Sequence, residues 1–175
     1  VEMVSRTGSS PSGMRIVIES GEVRECVEIG CPVGTAVSVD RIFDAVPARR
    51  KFLKTAATEQ GNCLDTITRL ALSNAAVGMR VTVNGREAMN LPASGGVAER
   101  LSLLLGAELR GQLVPLDYSA RGMRISGFAG RPDLSRSSSR GMLSLVQGRS
   151  VRDPLLPRAK MDAYRGTLEG RRHPV

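Results

Sequence analysis

Gly34-Thr35-Ala36-Val37-Ser38-Val39, followed after Pro47 by Ala48-Arg49-Arg50-Lys51-Phe52-Leu53-Lys54, is the stretch on which the fold turns. Valine at alternate positions behind a glycine reads as a β-strand entered through a flexible residue. The basic run after Pro47 is helix-tolerant instead, so strand gives way to helix within twenty residues. Upstream, Met14 to Ile18 and Glu22 to Glu28 read as two further strands joined at Ser20-Gly21. The turn-like Thr7 to Gly13 segment precedes them.

Downstream, Thr58 is the expected N-cap of a helix running to Ser73, with Leu64, Ile67, Leu70 and Ala71 on its inner face. Met79 to Val83 and Glu87 to Leu91 flank Asn84-Gly85, a pair suited to the two positive φ angles of a type I′ hairpin turn. Pro92-Ala93-Ser94-Gly95-Gly96 reads as a linker, which divides the chain into domains 1–95 and 96–175. Beyond it, Val97 to Leu105 is expected to be a helix stopped at Gly106. Leu113 to Leu116 and Met123 to Ala129 read as strands, Arg131 to Arg140 as a loop, and Met142 to Val146 as another strand before a turn at Gly148. A helix from Leu155 to Leu168 should face inward through Leu156, Ala159, Ala163 and Tyr164. A strand followed by such a helix normally crosses over to a further strand, which would begin at His173-Pro174-Val175. The class is α+β.

Of 175 residues, 41% are hydrophobic and only 3% aromatic, so the cores must be aliphatic. No run approaches the 18 or so apolar residues of a membrane span, and no leader pattern opens the chain; both argue against a spanning or secreted protein. Cys26, Cys31 and Cys63 show no paired spacing, which points to free thiols and gives no zinc motif. The single histidine, His173, reads as a solvated terminal residue and leaves a Ser-His-Asp triad without material. No catalytic or metal-binding residue is assigned. Residues 1–95 carry 11 basic and 10 acidic side chains, a net of +1, whereas residues 96–175 carry 14 and 7, a net of +7. Such asymmetry suggests a polyanion surface in the second half. The excess of Arg over Lys, 22 to 3, suits bidentate phosphate contacts and equally fits a codon bias.

The stretch from Val33 to Phe43 with Pro47 to Lys54 resembles the MutL family of DNA mismatch repair proteins. Ser5-Arg6-Thr7, Thr58-Glu59, Arg69-Leu70-Ala71-Leu72, Asn84-Gly85-Arg86, Gly148-Arg149 and Val151-Arg152-Asp153 match that family in the same order, so the resemblance covers nearly the whole chain. The sequence departs from the family at Ala45-Val46, where Asn-Thr is usual, at Gln147 for Asn, and at Pro154 for a basic residue.

The resemblance implies that residues 1–95 are the later half of a GHKL-type ATPase α/β sandwich. Residues 96–175 would be a domain like the second domain of ribosomal protein S5, truncated before its last strand. The intact parent would bind ATP and magnesium, hydrolyse the nucleotide, dimerise, bind DNA in the cytoplasm, and couple a MutS-family mismatch-recognition protein to downstream repair factors. Gly34 and Thr35 look like the family's last nucleotide motif, the Thr hydroxyl completing the adenine pocket. The family's general-base Glu, magnesium-binding Asn and phosphate-contacting Lys fall outside these residues, so this chain alone is expected to bind nucleotide poorly and to lack hydrolysis. Arg149, Arg152, Arg158, Lys160 and Arg165 are the implied DNA-contacting residues. On a second reading Arg149 and Arg152 pin their turn through Asp153. The alternative function is a non-enzymatic module that contacts DNA or a partner without nucleotide.

Overall fold

A computed structural model describes residues 1–106, 111–168 and 172–175. The chain forms two compact units, Val1–Glu59 and Gln60–Val175.

The first unit is built on four antiparallel strands, β1 (Glu2–Arg6), β2 (Gly13–Glu19), β3 (Glu22–Ile29) and β4 (Gly34–Ser38), in the order β3-β2-β1-β4. Ser20 and Gly21, with φ of 50° and 88°, make the expected turn between β2 and β3. Strand β1 has no counterpart in the sequence reading. Its adjacent Met3 and Val4 break the alternation, and its strand character comes from neighbours on both sides, Met3 pairing with Ile16 and with Val37. The register sets Met3, Met14, Ile16 and Val37 on one face. On the other, Arg15 pairs with Glu2 at 2.7 Å and with Glu25 at 2.8 Å.

After β4 come α1 (Pro47–Arg50), opened by proline where a helix tolerates its missing N–H, and α2 (Ala56–Ser73). The cap of α2 is Thr55 rather than Thr58. The Thr58 N–H donates to Thr55 Oγ1 at 3.3 Å, and Glu59 reaches back to accept the Lys54 N–H at 2.8 Å. Two alanines after Thr55 extend the helix by a turn that the sequence reading assigned to the loop.

In the second unit, α2 buries Ala71 fully and Leu72 almost fully, while Leu70 is 51% exposed. In this run of three apolar residues Ala71 is inward as expected, and Leu72 takes the inward place expected of Leu70. The hairpin of β5 (Met79–Val83) and β6 (Arg86–Leu91) turns at Asn84 and Gly85, with φ of 50° and 76° as expected for type I′. Residues 92–96 are tied down. Buried Ser94 donates from its backbone N–H and from Oγ to the Ala75 carbonyl, at 2.9 and 3.0 Å. The two compact units divide within α2. Helix α3 (Val97–Leu105) follows and ends at Gly106, φ 90°, as expected.

Strands β7 (Leu113–Ala120) and β8 (Met123–Gly130) form a longer hairpin than the sequence suggests, because Arg121-Gly122, with φ of 51° and 72°, turn it tightly. The expected 142–146 strand shortens to β10 (Leu145–Val146), which follows β9 (Ser135–Arg136) and pairs with β11 (Arg149–Ser150) through a turn at Gln147-Gly148. Helix α4 (Leu155–Ala163) ends five residues early. Its half-buried side is Leu156, Lys160, Met161 and Tyr164; Ala159 and Ala163 are exposed, against the expected pattern. Stacking at i, i+4 and i+8 from Leu156 runs through Lys160 to Tyr164, which displaces the alanines outward. His173 does enter a strand, β12 (His173–Pro174), but it pairs antiparallel with β9 instead of returning in a parallel crossover. Its ring is half-buried, with Nδ1 enclosed and unpartnered, and so is not a solvated terminal side chain. Among the described residues no helix is long and apolar enough to cross a membrane.

Candidate nucleic-acid interface

The β10–β11 hairpin can be this short because Gln147 and Gly148 both adopt positive φ, 50° and 75°. It leaves Arg149 and Ser150 on β11 and delivers the chain to Arg152 and Asp153 at the start of α4. Asp153 is spent on the helix, its Oδ1 accepting the Leu155 N–H at 2.8 Å.

Arg152 therefore pairs elsewhere. Its Nη2 donates to Asp65 Oδ2 on α2 at 2.9 Å, across 87 positions of sequence, which corrects the reading that gave Asp153 as its anchor. Asp65 also accepts from Arg69 Nε at 3.0 Å and Nη2 at 3.3 Å, and Arg69 Nη1 reaches Ser150 Oγ at 3.4 Å. The Arg69 hydrogen bonds, with the charges of Arg69 and Arg152, hold the Asp65 carboxyl below its ordinary value although partial burial works the other way. Asp65, Arg69 and Ser150 were missed as site residues. The Asp-Arg pair at i, i+4 on a helix was the available signal, and nothing local linked it to Arg152.

The other implied DNA contacts fare differently. Arg149 and Arg158 are exposed, and neither is in an ion pair among the described residues. Arg165 is exposed and bonds Asp162 Oδ1 at 2.6 Å. Lys160 points inward, its Nζ donating to the Leu143 carbonyl at 2.6 Å and to Ser144 Oγ at 2.9 Å. Burial, aided by the charge of Arg69, pushes its pKa down. Lys160 thus braces the segment entering β10 and presents no free ammonium outward.

Gly34 and Thr35 lie in the first unit on β4, an edge strand. Thr35 Oγ1 and Ser5 Oγ share a hydrogen bond at 2.8 Å, which ties the Ser-Arg-Thr segment to the Gly-Thr pair. Gly34 has φ 126°, and the space a Cβ would fill is open, so backbone conformation rather than crowding demands glycine there. Among the described residues no three His, Cys, Asp or Glu side chains are grouped to hold a metal ion. A mostly apolar groove of about 390 Å³ between α3 and the β7–β8 hairpin is lined by Ala98, Glu99, Leu101, Ser102, Leu113 and Phe128. Guanidinium donors on a turn and a helix suit phosphate binding.

Known proteins supply the context for this basic surface. The family model described as DNA mismatch repair protein, C-terminal domain, matches residues 101–175. DNA mismatch repair protein MutL of Syntrophus aciditrophicus (strain SB) is 47% identical over 174 residues, 99% of this chain and 28% of the relative. The MutL of Acidiphilium cryptum (strain JF-5) is 38% identical over 99% of this chain and 30% of its own length. This chain therefore spans under a third of those relatives. Among solved structures, the Aquifex aeolicus MutL ATPase domain complexed with ADP superposes with a TM-score of 0.69 at 28% identity, over 89% of this chain and 59% of that one. The N-terminal domain of a DNA repair protein gives a TM-score of 0.81 at 21% identity over 99% of this chain and 58% of that one, a likeness of fold alone. A shared α+β fold, together with near-complete coverage of the chain at 47% identity, makes the chain similar over nearly its whole length to part of the MutL DNA mismatch repair proteins.

Proposed function

We propose that this chain supplies part of the duplex-DNA contact of a mismatch-repair ATPase, using the outward guanidiniums of Arg149, Arg152, Arg158 and Arg165. The observation that carries the reading is that Arg149 and Arg158 are exposed and free of ion pairs among the described residues, in a half of the chain whose net charge is +7. Phosphate contacts by such groups are independent of base sequence and sensitive to salt. Lys160 serves this surface from beneath by fixing the Leu143 carbonyl and the Ser144 hydroxyl.

Residues 1–95 and 96–175 are taken as the later half of a GHKL ATPase sandwich and an S5-like domain. The match of the family model to residues 101–175 supports that division. The whole protein would bind ATP with magnesium, Thr35 contributing its hydroxyl at the adenine end, and would hydrolyse it. As a cytoplasmic homodimer it would couple a MutS-family partner to downstream repair. The ADP carried by the Aquifex aeolicus ATPase domain supports the nucleotide part.

Anisotropy of a labelled mixed-sequence duplex tests the DNA reading. Arg149→Glu with Arg158→Glu should weaken binding by about tenfold or more at 50 mM salt. Unchanged affinity in a folded double variant would move the surface elsewhere.

A further inference from the structure

Asp65 sits where two guanidiniums converge. Oδ2 accepts from Arg69 Nε and Arg152 Nη2 at 3.0 and 2.9 Å, Oδ1 accepts from Arg69 Nη2 at 3.3 Å, and Ser150 Oγ lies 3.4 Å from Arg69 Nη1. The gradient of exposure separates the roles. The Arg69 side chain is 13% exposed and Asp65 28%, whereas Arg152 is 71% exposed. Arg69 is a fixed clamp on its own helix; Arg152 is an arm lying on the carboxylate from the solvent side. Two guanidiniums on one oxyanion are also donors that a backbone phosphate takes.

We propose that Asp65 is an internal stand-in for a DNA backbone phosphate, holding Arg152 until a phosphate of the duplex takes that guanidinium over. The proposal rests on the DNA-contact reading above and deepens it. Arg152 must give up its ion pair with Asp65 before it meets a phosphate, and the carboxylate left behind takes up a cation that offsets the one the DNA releases. Asp65 therefore lowers affinity and flattens the salt dependence. It also orders Arg152 against α2, which keeps the arm from closing on other anions. A carboxylate that merely clamped β11 to α2 would act in the opposite sense, since its loss would disorder the contact surface and weaken binding.

The test is duplex binding by the full-length protein that carries this chain, from 50 to 200 mM NaCl, with thermal melting of each variant. Asp65→Asn should bind about three- to tenfold tighter at the lowest salt, with a log-log slope steeper by about 0.9, the value of one phosphate contact no longer offset by cation uptake at the carboxylate. Asp65→Glu, which keeps the charge, should stay within about twofold of wild type, and Arg152→Gln should abolish the gain from Asp65→Asn. An Asp65→Asn variant that binds no tighter, or that is unfolded at the assay temperature, overturns the proposal. Absence of salt-sensitive binding by the wild type overturns the DNA reading itself, and the proposal with it.

Discussion

Arg100 has no exposed surface, and its Nη2 donates to the Ala75 carbonyl at 2.6 Å. The same nitrogen reaches the Val77 carbonyl at 2.7 Å, while Nε and Nη1 have no partner. The guanidinium is thus held against two carbonyls of the chain that leaves α2. Through this side chain the first helix after residues 92–96 is fastened to the chain before β5, and a Gly-Pro-Ser stretch that looks loose in sequence is fixed.

Removing that fastening should cost more than an average substitution. Arg100→Ala deletes two charge-assisted hydrogen bonds and leaves a void, so a loss of about 2–4 kcal/mol is expected. Urea denaturation of the two proteins measures it; a change below about 0.5 kcal/mol would mean that Ser94 alone holds the segment.

Gly85 occupies the second positive-φ position of the β5–β6 turn, with open space around the missing Cβ. The cost of Gly85→Ala is therefore conformational rather than steric, about 1–2 kcal/mol. A lower melting temperature with unchanged DNA affinity is the expected result.

The pH response of the second unit should carry the mark of Asp65. Its folded pKa lies below the ordinary carboxylate value, chiefly through the Arg69 hydrogen bonds and then through Arg152. The stabilisation is therefore full above the unfolded pKa, near pH 4, and is lost as pH falls through the lower folded value. Denaturation at a series of pH values should show a smaller acid-side loss in Asp65→Asn than in wild type.

These features differ in how legible they were. The hairpins at Ser20-Gly21 and Asn84-Gly85 could be read directly, because a tight turn needs only its own two residues to adopt positive φ. Strand β1 could not, since pairing on both sides makes Glu2–Arg6 a strand where its own pattern does not. The helices were found, but not their orientation: Leu72 in place of Leu70, and Lys160 in place of Ala159, face inward. The same limit applies to the site. Arg149 and Arg152 were singled out by the family resemblance of their own segment, but Asp65, to which Arg152 donates, lies 87 positions away.

Thr35 offers a check on the nucleotide half of the account. Its hydroxyl already meets Ser5 Oγ at 2.8 Å, and a Thr35→Val variant removes that polar contact at nearly constant volume. In the full-length protein ATP affinity should fall about five- to tenfold, the worth of one hydrogen bond, while the fold is retained.

The salt dependence of duplex binding by the full-length protein tests the central claim most directly. With Arg149 and Arg158 both changed to Ala, the slope of log K against log salt should become shallower by about 1.8, two phosphate contacts at about 0.9 each, and affinity should fall alike on every duplex sequence. An unchanged slope, or a loss confined to particular sequences, would contradict the assignment of this surface to the DNA backbone.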